Sequence, residues 1–256
     1  MWSAFFYLAK RAANTAYECM TEPSPPYGSY IHLDGPDTIS FLERILTCRV
    51  DDLDANERRL GALLTPQGKV IGDFQLTRSE NGCRLLVHDS IADQFEKRLK
   101  LFRLRAKVDI SRSQSKEPQT DPRARILAGI PGFGEDFETA EVFPTDINLD
   151  IRNGLDFSKG CFVGQEVVSR MKRRGKIRKR TLVLTGTGLQ KGQVIRTDSK
   201  RIGVVTSVHE DIALGLLRTD HLATAHAAKE QIEVDATPVS VEVPYWLSKE
   251  LEAFSK

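Results

Sequence analysis

The sequence predicts an α+β fold in two parts, a mixed region with largely antiparallel sheet followed by a small C-terminal β-barrel or sandwich. Three observations carry this reading. Between residues 30 and 102, strand-like runs are interrupted by two helical stripes. After Arg180 the texture changes to six short β-rich runs, with glycine at 186, 188, 192, 203 and 215. No stretch approaches the ~18 consecutive apolar residues of a membrane-spanning helix.

The elements follow in order. Tyr30–Leu33 reads as a strand ended by Asp34-Gly35-Pro36-Asp37. Pro36 opens a short helix whose stripe is Ile39, Phe41, Leu42, Ile45 and Leu46. Leu60–Leu64 and Val70–Thr77 form a hairpin around Thr65-Pro66-Gln67-Gly68-Lys69. Arg84–His88 adds a strand. Ser90 then caps a helix striped by Ile91, Phe95, Leu99 and Phe102. Ser111–Asp121 is polar and reads as a loop at a subdomain junction. Arg123–Ala128 is a helix stopped by Gly129 and Pro131, and 133–150 has no sustained period. The predicted organisation is an unstructured or over-called extension at 1–26, a main region at 27–175 with its junction near 111–121, and a barrel at 176–247.

Of 256 residues, 40% are hydrophobic and 28% charged, enough apolar surface to exclude a wholly disordered chain. Net charge is only +2, yet eight Lys/Arg and no acid fall within Arg170–Arg180. The remainder is therefore net acidic, and an anionic partner at one place is implied. Cys19, Cys48, Cys83 and Cys161 show no CxxC spacing, and the five histidines show no ligand spacing, so no metal site is expected. The thiols are read as reduced. In Met1–Cys19 the charges follow the apolar residues, the wrong order for a secretory signal. A cytoplasmic location is expected, with an organellar matrix as the alternative.

The chemistry concentrates in Lys159-Gly160-Cys161-Phe162-Val163-Gly164-Gln165-Glu166. Two glycines frame the cysteine, and Gln165–Lys172 reads as a helix. Cys161 thus precedes a helix N-terminus with Lys159 nearby, an arrangement expected to favour thiolate over thiol.

This segment resembles the KGC-aromatic-x-GQE signature of the YgfZ-type folate-binding proteins, relatives of the glycine-cleavage T-protein and of mitochondrial Iba57. Weaker blocks agree in order: Gly35–Leu42, Leu64–Phe74 and Ala128-Gly129-Ile130-Pro131. The resemblance implies a T-protein-like cloverleaf around a tetrahydrofolate-sized cleft. It also implies a role in assembling or maintaining 4Fe–4S enzymes, tRNA-modifying radical enzymes among them. Cys161 would be the reactive thiol, with a transient iron–sulfur cluster contact. Asp73, Gln67, Lys69, Tyr30, Arg125, Lys159, Gln165, Glu166 and Arg180 would form the folate-binding set. Partners would be folate and iron–sulfur assembly or client proteins.

Where T-proteins carry an Asp-Asp pair, this chain has Gly72-Asp73. The loss of one carboxylate weakens the alternative of a tetrahydrofolate-dependent aminomethyltransferase. A second alternative is an RNA-binding module using residues 170–180, but no aromatic in the run offers base stacking. Glu166 is also explained as an acid in a helix first turn.

Overall fold

The computed structural model describes residues 28–117, 120–173, 177–198, 200–252 and 254. The expected extension at 1–26, with Cys19, lies outside them. Strands β1 (Ser29–Asp34), β2 (Arg59–Leu64), β3 (Val70–Ser79), β4 (Gly82–Val87) and β5 (Asp109–Gln114) make an antiparallel sheet in the order β2-β3-β4-β1-β5. Helix α1 (Thr38–Glu43) follows β1, and α2 (Asp89–Arg103) follows β4.

Strand alternation gives this sheet two unlike faces. Ile31, Leu33, Gly72, Phe74, Leu76, Leu85 and Val87 share one face, which α2 covers with Ile91, Phe95 and Leu99. Phe74 and Phe95 meet edge to face, with ring centroids 5.9 Å apart. The opposite face carries Tyr30, His32, Asp73, Gln75, Thr77 and Arg84.

Two local expectations are corrected. The helix cap is His88, whose Nδ1 accepts a hydrogen bond from the Ser90 backbone N–H at 3.3 Å. The segment 111–121 begins not as a loop but as the end of β5, an edge strand paired only with β1. Its side chains are nearly all exposed, so no alternation marked it.

The chain then runs through α3 (Pro122–Leu127), irregular residues 133–150 and α4 (Gln165–Arg173). A second antiparallel sheet contains β6 (Lys179–Thr185), β7 (Val194–Thr197), β8 (Arg201–His209), β9 (Ile212–Arg218), β10 (Ile232–Val234), β11 (Thr237–Pro238) and β12 (Ser240–Val241). Its order is β11-β10-β7-β8-β9-β6-β12. The two edge strands are sequence neighbours, so the sheet has to curl until its edges nearly meet. This is the near-closed barrel. Helices α5 (Thr219–Ala228) and α6 (Tyr245–Glu252) accompany it and pack on each other.

Candidate functional site

The Cys161 segment and the β2–β3 turn, 93 residues apart at Gly68 and Cys161, are brought together by two glycines. Gly164 has φ +81°, and a Cβ there would lie 2.7 Å from the Thr65 carbonyl oxygen and 3.1 Å from the Gly68 Cα. Gly68, at φ +78°, leaves room for Val167 and Val168 of α4. Both positive φ values favour glycine, and at Gly164 the backbone contact leaves no room for a Cβ. Gly160 differs: a Cβ there would meet nothing within 4 Å, so packing does not demand it.

Cys161 is exposed on this turn, whereas Cys48 and Cys83 are buried. Burial pushes the Cys48 thiol up to about 12 and the Cys83 thiol up to about 11, which makes both inert at neutral pH. Phe162 is buried beside the exposed sulfur, anchoring the turn in the core.

Lys159 does not stand beside the sulfur as a free cation. Its side chain is 1% exposed, 2.9 Å from Glu43 Oε2, and its Nζ donates to the carbonyls of Leu46 at 3.0 Å and Cys48 at 2.5 Å. A buried ammonium is tolerable only with such partners, and here three acceptors hold it inward. Asp156 organises the approach to the cysteine. Its Oδ1 accepts from the Ser158 backbone and hydroxyl at 2.7 and 2.6 Å, while Oδ2 accepts from Arg49 at 2.9 Å. Partial burial pushes this carboxyl up, but the bonds from Ser158 and Arg49 outweigh it and hold the group at about 2.

The polar face of the first sheet carries a second group of candidate residues. Asp73, 4% exposed, sits on β3 opposite Ala62. Two residues on, Gln75 accepts from Arg58 at 3.2 Å, and Arg58 holds Glu117 at 2.8 Å. The Tyr30 hydroxyl donates to Glu117, and the Arg84 guanidinium lies 5.5 Å from the Tyr30 ring centre. Burial first, then Glu117, pushes the Tyr30 phenol up. Arg84 Nε and Thr77 Oγ1, cross-strand neighbours, are buried atoms with no hydrogen-bond partner. Sequence reading missed Arg58, Gln75, Thr77, Arg84 and Glu117; the alternation from Asp73 to Gln75 and Thr77 was the available signal. Gly72 faces the other way, where a Cβ would meet Ile91 Cδ1 at 2.9 Å. A second carboxylate at that position would enter the α2 core.

Other members of the predicted set are placed elsewhere. Arg180 is 0% exposed and all its N–H groups have partners within the protein. It holds Asp150 at 2.6 and 2.9 Å, Glu250 at 3.0 and 2.5 Å and the Thr145 carbonyl at 2.9 Å. It thereby joins the start of β6 to the irregular segment and to α6. Arg125 is likewise buried, donating to the Ile130 carbonyl at 2.8 Å and pairing with Asp136 at 2.5 Å. Lys69 donates to the Glu141 carbonyl at 2.9 Å and lies 3.8 Å over Phe143; burial lowers its affinity for a proton. Gln67 is exposed in the β2–β3 turn. Gln165 starts α4, and exposed Glu166 pairs with Arg170 at 2.6 Å.

The described members of the basic run have different surroundings. Arg170 pairs with Glu166, Lys172 lies 3.8 Å over Phe157, Arg180 is buried, and 174–176 lie outside the described residues. Among the described residues no group of three or more His, Cys, Asp or Glu could hold a metal ion, and no helix is long and apolar enough to cross a membrane.

Comparison with known proteins agrees with this architecture. Residues 178–249 match the CAF17 C-terminal beta-barrel domain. An IBA57 homologue of Neurospora crassa, described as a mitochondrial iron-sulfur cluster assembly factor, is 38% identical over 86 residues. That alignment covers 30% of this chain and 20% of the relative. The homologue from Mycosarcoma maydis is 26% identical over 224 residues, covering 62% of this chain and 56% of the relative. Human IBA57 is 30% identical over 105 residues, 38% of this chain and 30% of that protein. The chain thus spans little more than half, at most, of these three relatives. The crystal structure of glycine cleavage system aminomethyltransferase T from Bartonella henselae superposes with a TM-score of 0.69 over 86% of each chain at 16% identity, a likeness of fold.

Proposed function

From a chain of the IBA57/CAF17 type built on the T-protein fold, we propose an iron–sulfur cluster assembly or maintenance factor that binds tetrahydrofolate and acts through Cys161. The single observation that supports the thiol part is the exposure of Cys161 on a turn locked by Gly164, while Cys48 and Cys83 are closed in. Among the described residues no group of three or more His, Cys, Asp or Glu gathers around it to hold a metal. Since one thiolate cannot hold a 4Fe–4S cluster, cluster contact at Cys161 is shared with a partner protein, and the clients are 4Fe–4S enzymes, tRNA-modifying radical enzymes among them.

The polar face fits a pterin. Asp73 offers a buried carboxylate to ring N–H groups. Tyr30 offers an aromatic surface, and Arg84 with Thr77 offers buried polar atoms in need of a partner. Tetrahydrofolate would supply one-carbon chemistry when bound. With a single carboxylate on this face and Gly72 turned into the core, aminomethyl transfer is the weaker reading. Because the relatives carry mitochondrial names, an organellar matrix is the location we favour over the cytoplasm, and cell fractionation decides it.

Titration with tetrahydrofolate at two salt concentrations tests the ligand. Saturable binding is expected for the wild type and for Cys161→Ala, with about tenfold weakening in Asp73→Asn, a loss of about 1.4 kcal/mol. Absence of saturable binding by the wild type would remove folate from the proposal and leave the thiol.

A further inference from the structure

A groove of about 910 Å³ lies away from the site above, between α1 and the C-terminal end of α2. Its floor is apolar, made by Phe41, Ile45 and Phe102, and its walls carry Arg44, Arg103 and Arg105. Arg44 and Arg105 are exposed and have no carboxylate partner among the described residues. The one acid in the lining, Asp37, accepts from the Lys107 backbone N–H at 2.8 Å. Lys97 and Arg98 continue the positive charge along α2, while Lys100 pairs with Glu96 at 2.6 Å.

The rim is unusual. Leu104 ends α2 with φ +48° and ψ −107°, a backbone region that a β-carbon resists and glycine accepts. Its side chain is 86% exposed, and Leu101, one turn earlier, is 63% exposed. Strain together with an exposed leucine pair is unfavourable twice over in the isolated chain. Such an outlier points to a contact made elsewhere.

We propose that this groove is a docking site for a protein segment that presents acidic side chains around an apolar anchor. The anchor enters between Phe41, Ile45 and Phe102, Leu101 and Leu104 pack along it, and the acids meet Arg44 and Arg105. A concave apolar floor suits an inserted side chain better than a lipid surface, which would need a convex face. The groove is linked to the thiol loop through the chain. Arg44 and Ile45 directly follow Glu43, the carboxylate that holds Lys159 two residues before Cys161. The inference concerns a partner surface and does not depend on the chemistry of Cys161.

Fluorescence anisotropy of a labelled helical peptide bearing leucines and glutamates tests it, beside versions with lysine for glutamate or serine for leucine. Saturable, salt-weakened binding of the acidic leucine peptide alone is expected, falling about tenfold in the double variant Arg44→Glu, Arg105→Glu. Leu104→Gly should weaken binding by a similar factor while keeping or raising the melting temperature, because glycine relieves the backbone. The proposal is overturned by absence of saturable binding, by equal binding of the lysine peptide, or by undiminished binding to the variants. Stronger association with phosphatidylserine vesicles than with the peptide would also overturn it and assign the surface to a membrane.

Discussion

The Cys161 turn and the Arg180 joint are both basic, motif-rich stretches, yet the fold uses them in opposite ways. At Arg180 every donor is satisfied internally, by Asp150, Glu250 and Thr145. At the Cys161 turn the cation is also turned inward, with Lys159 on Glu43 and two carbonyls, but the sulfur is left outside. In both places the buried charge is scaffolding. What distinguishes the turn is the group the scaffold exposes.

The largest test of that contrast is Arg180→Met. Removing one member of a buried ion-pair cluster leaves carboxylates without compensation, so stability should fall by roughly 3–5 kcal/mol in urea unfolding. A loss below about 1 kcal/mol would show that the joint carries little of the fold. Next come the two glycines of the turn. Gly164→Ala meets both a positive φ and the Thr65 carbonyl, and should cost about 1–3 kcal/mol. Gly160→Ala should stay within about 0.5 kcal/mol. Equal effects at the two positions would erase the distinction between the locked and the open side of the cysteine.

The smallest effect is a local pH dependence. The Asp156 carboxyl is held at about 2, below the ordinary carboxylate value of about 3.9. A lowered folded value stabilises the ionised state, so its contribution is present above about pH 4 and is lost as pH falls toward 2. Hydrogen exchange at the Ser158 amide should lose protection across that window in the wild type. In Asp156→Asn the protection should be lower from the start, without that acid step. An unchanged step would place the titrating group elsewhere.

Much of the scaffold was legible because its signals are local. The stripe of Ile91, Phe95 and Leu99 and the turn residues between β2 and β3 announced α2 and the hairpin. Strand β5 was not legible, since an exposed edge strand needs no apolar alternation. Helix α5 gave no stripe either, because its buried positions are mixed with alanine and threonine. In the site, Cys161 could be found from its own neighbours. The fate of Arg180 could not, since its partners lie 30 and 70 residues away. The strip from Asp73 to Tyr30 depends on the register of three strands, β3 with β4 and β4 with β1, which no single segment encodes.

The most direct measurement replaces the native protein with its Cys161→Ala form in cells lacking it and assays a 4Fe–4S enzyme. The turn should fold unchanged, with stability within about 0.5 kcal/mol of wild type. Enzyme activity should nevertheless fail to return, whereas the wild type restores it. Full restoration by the alanine form would contradict the assignment of function to this sulfur.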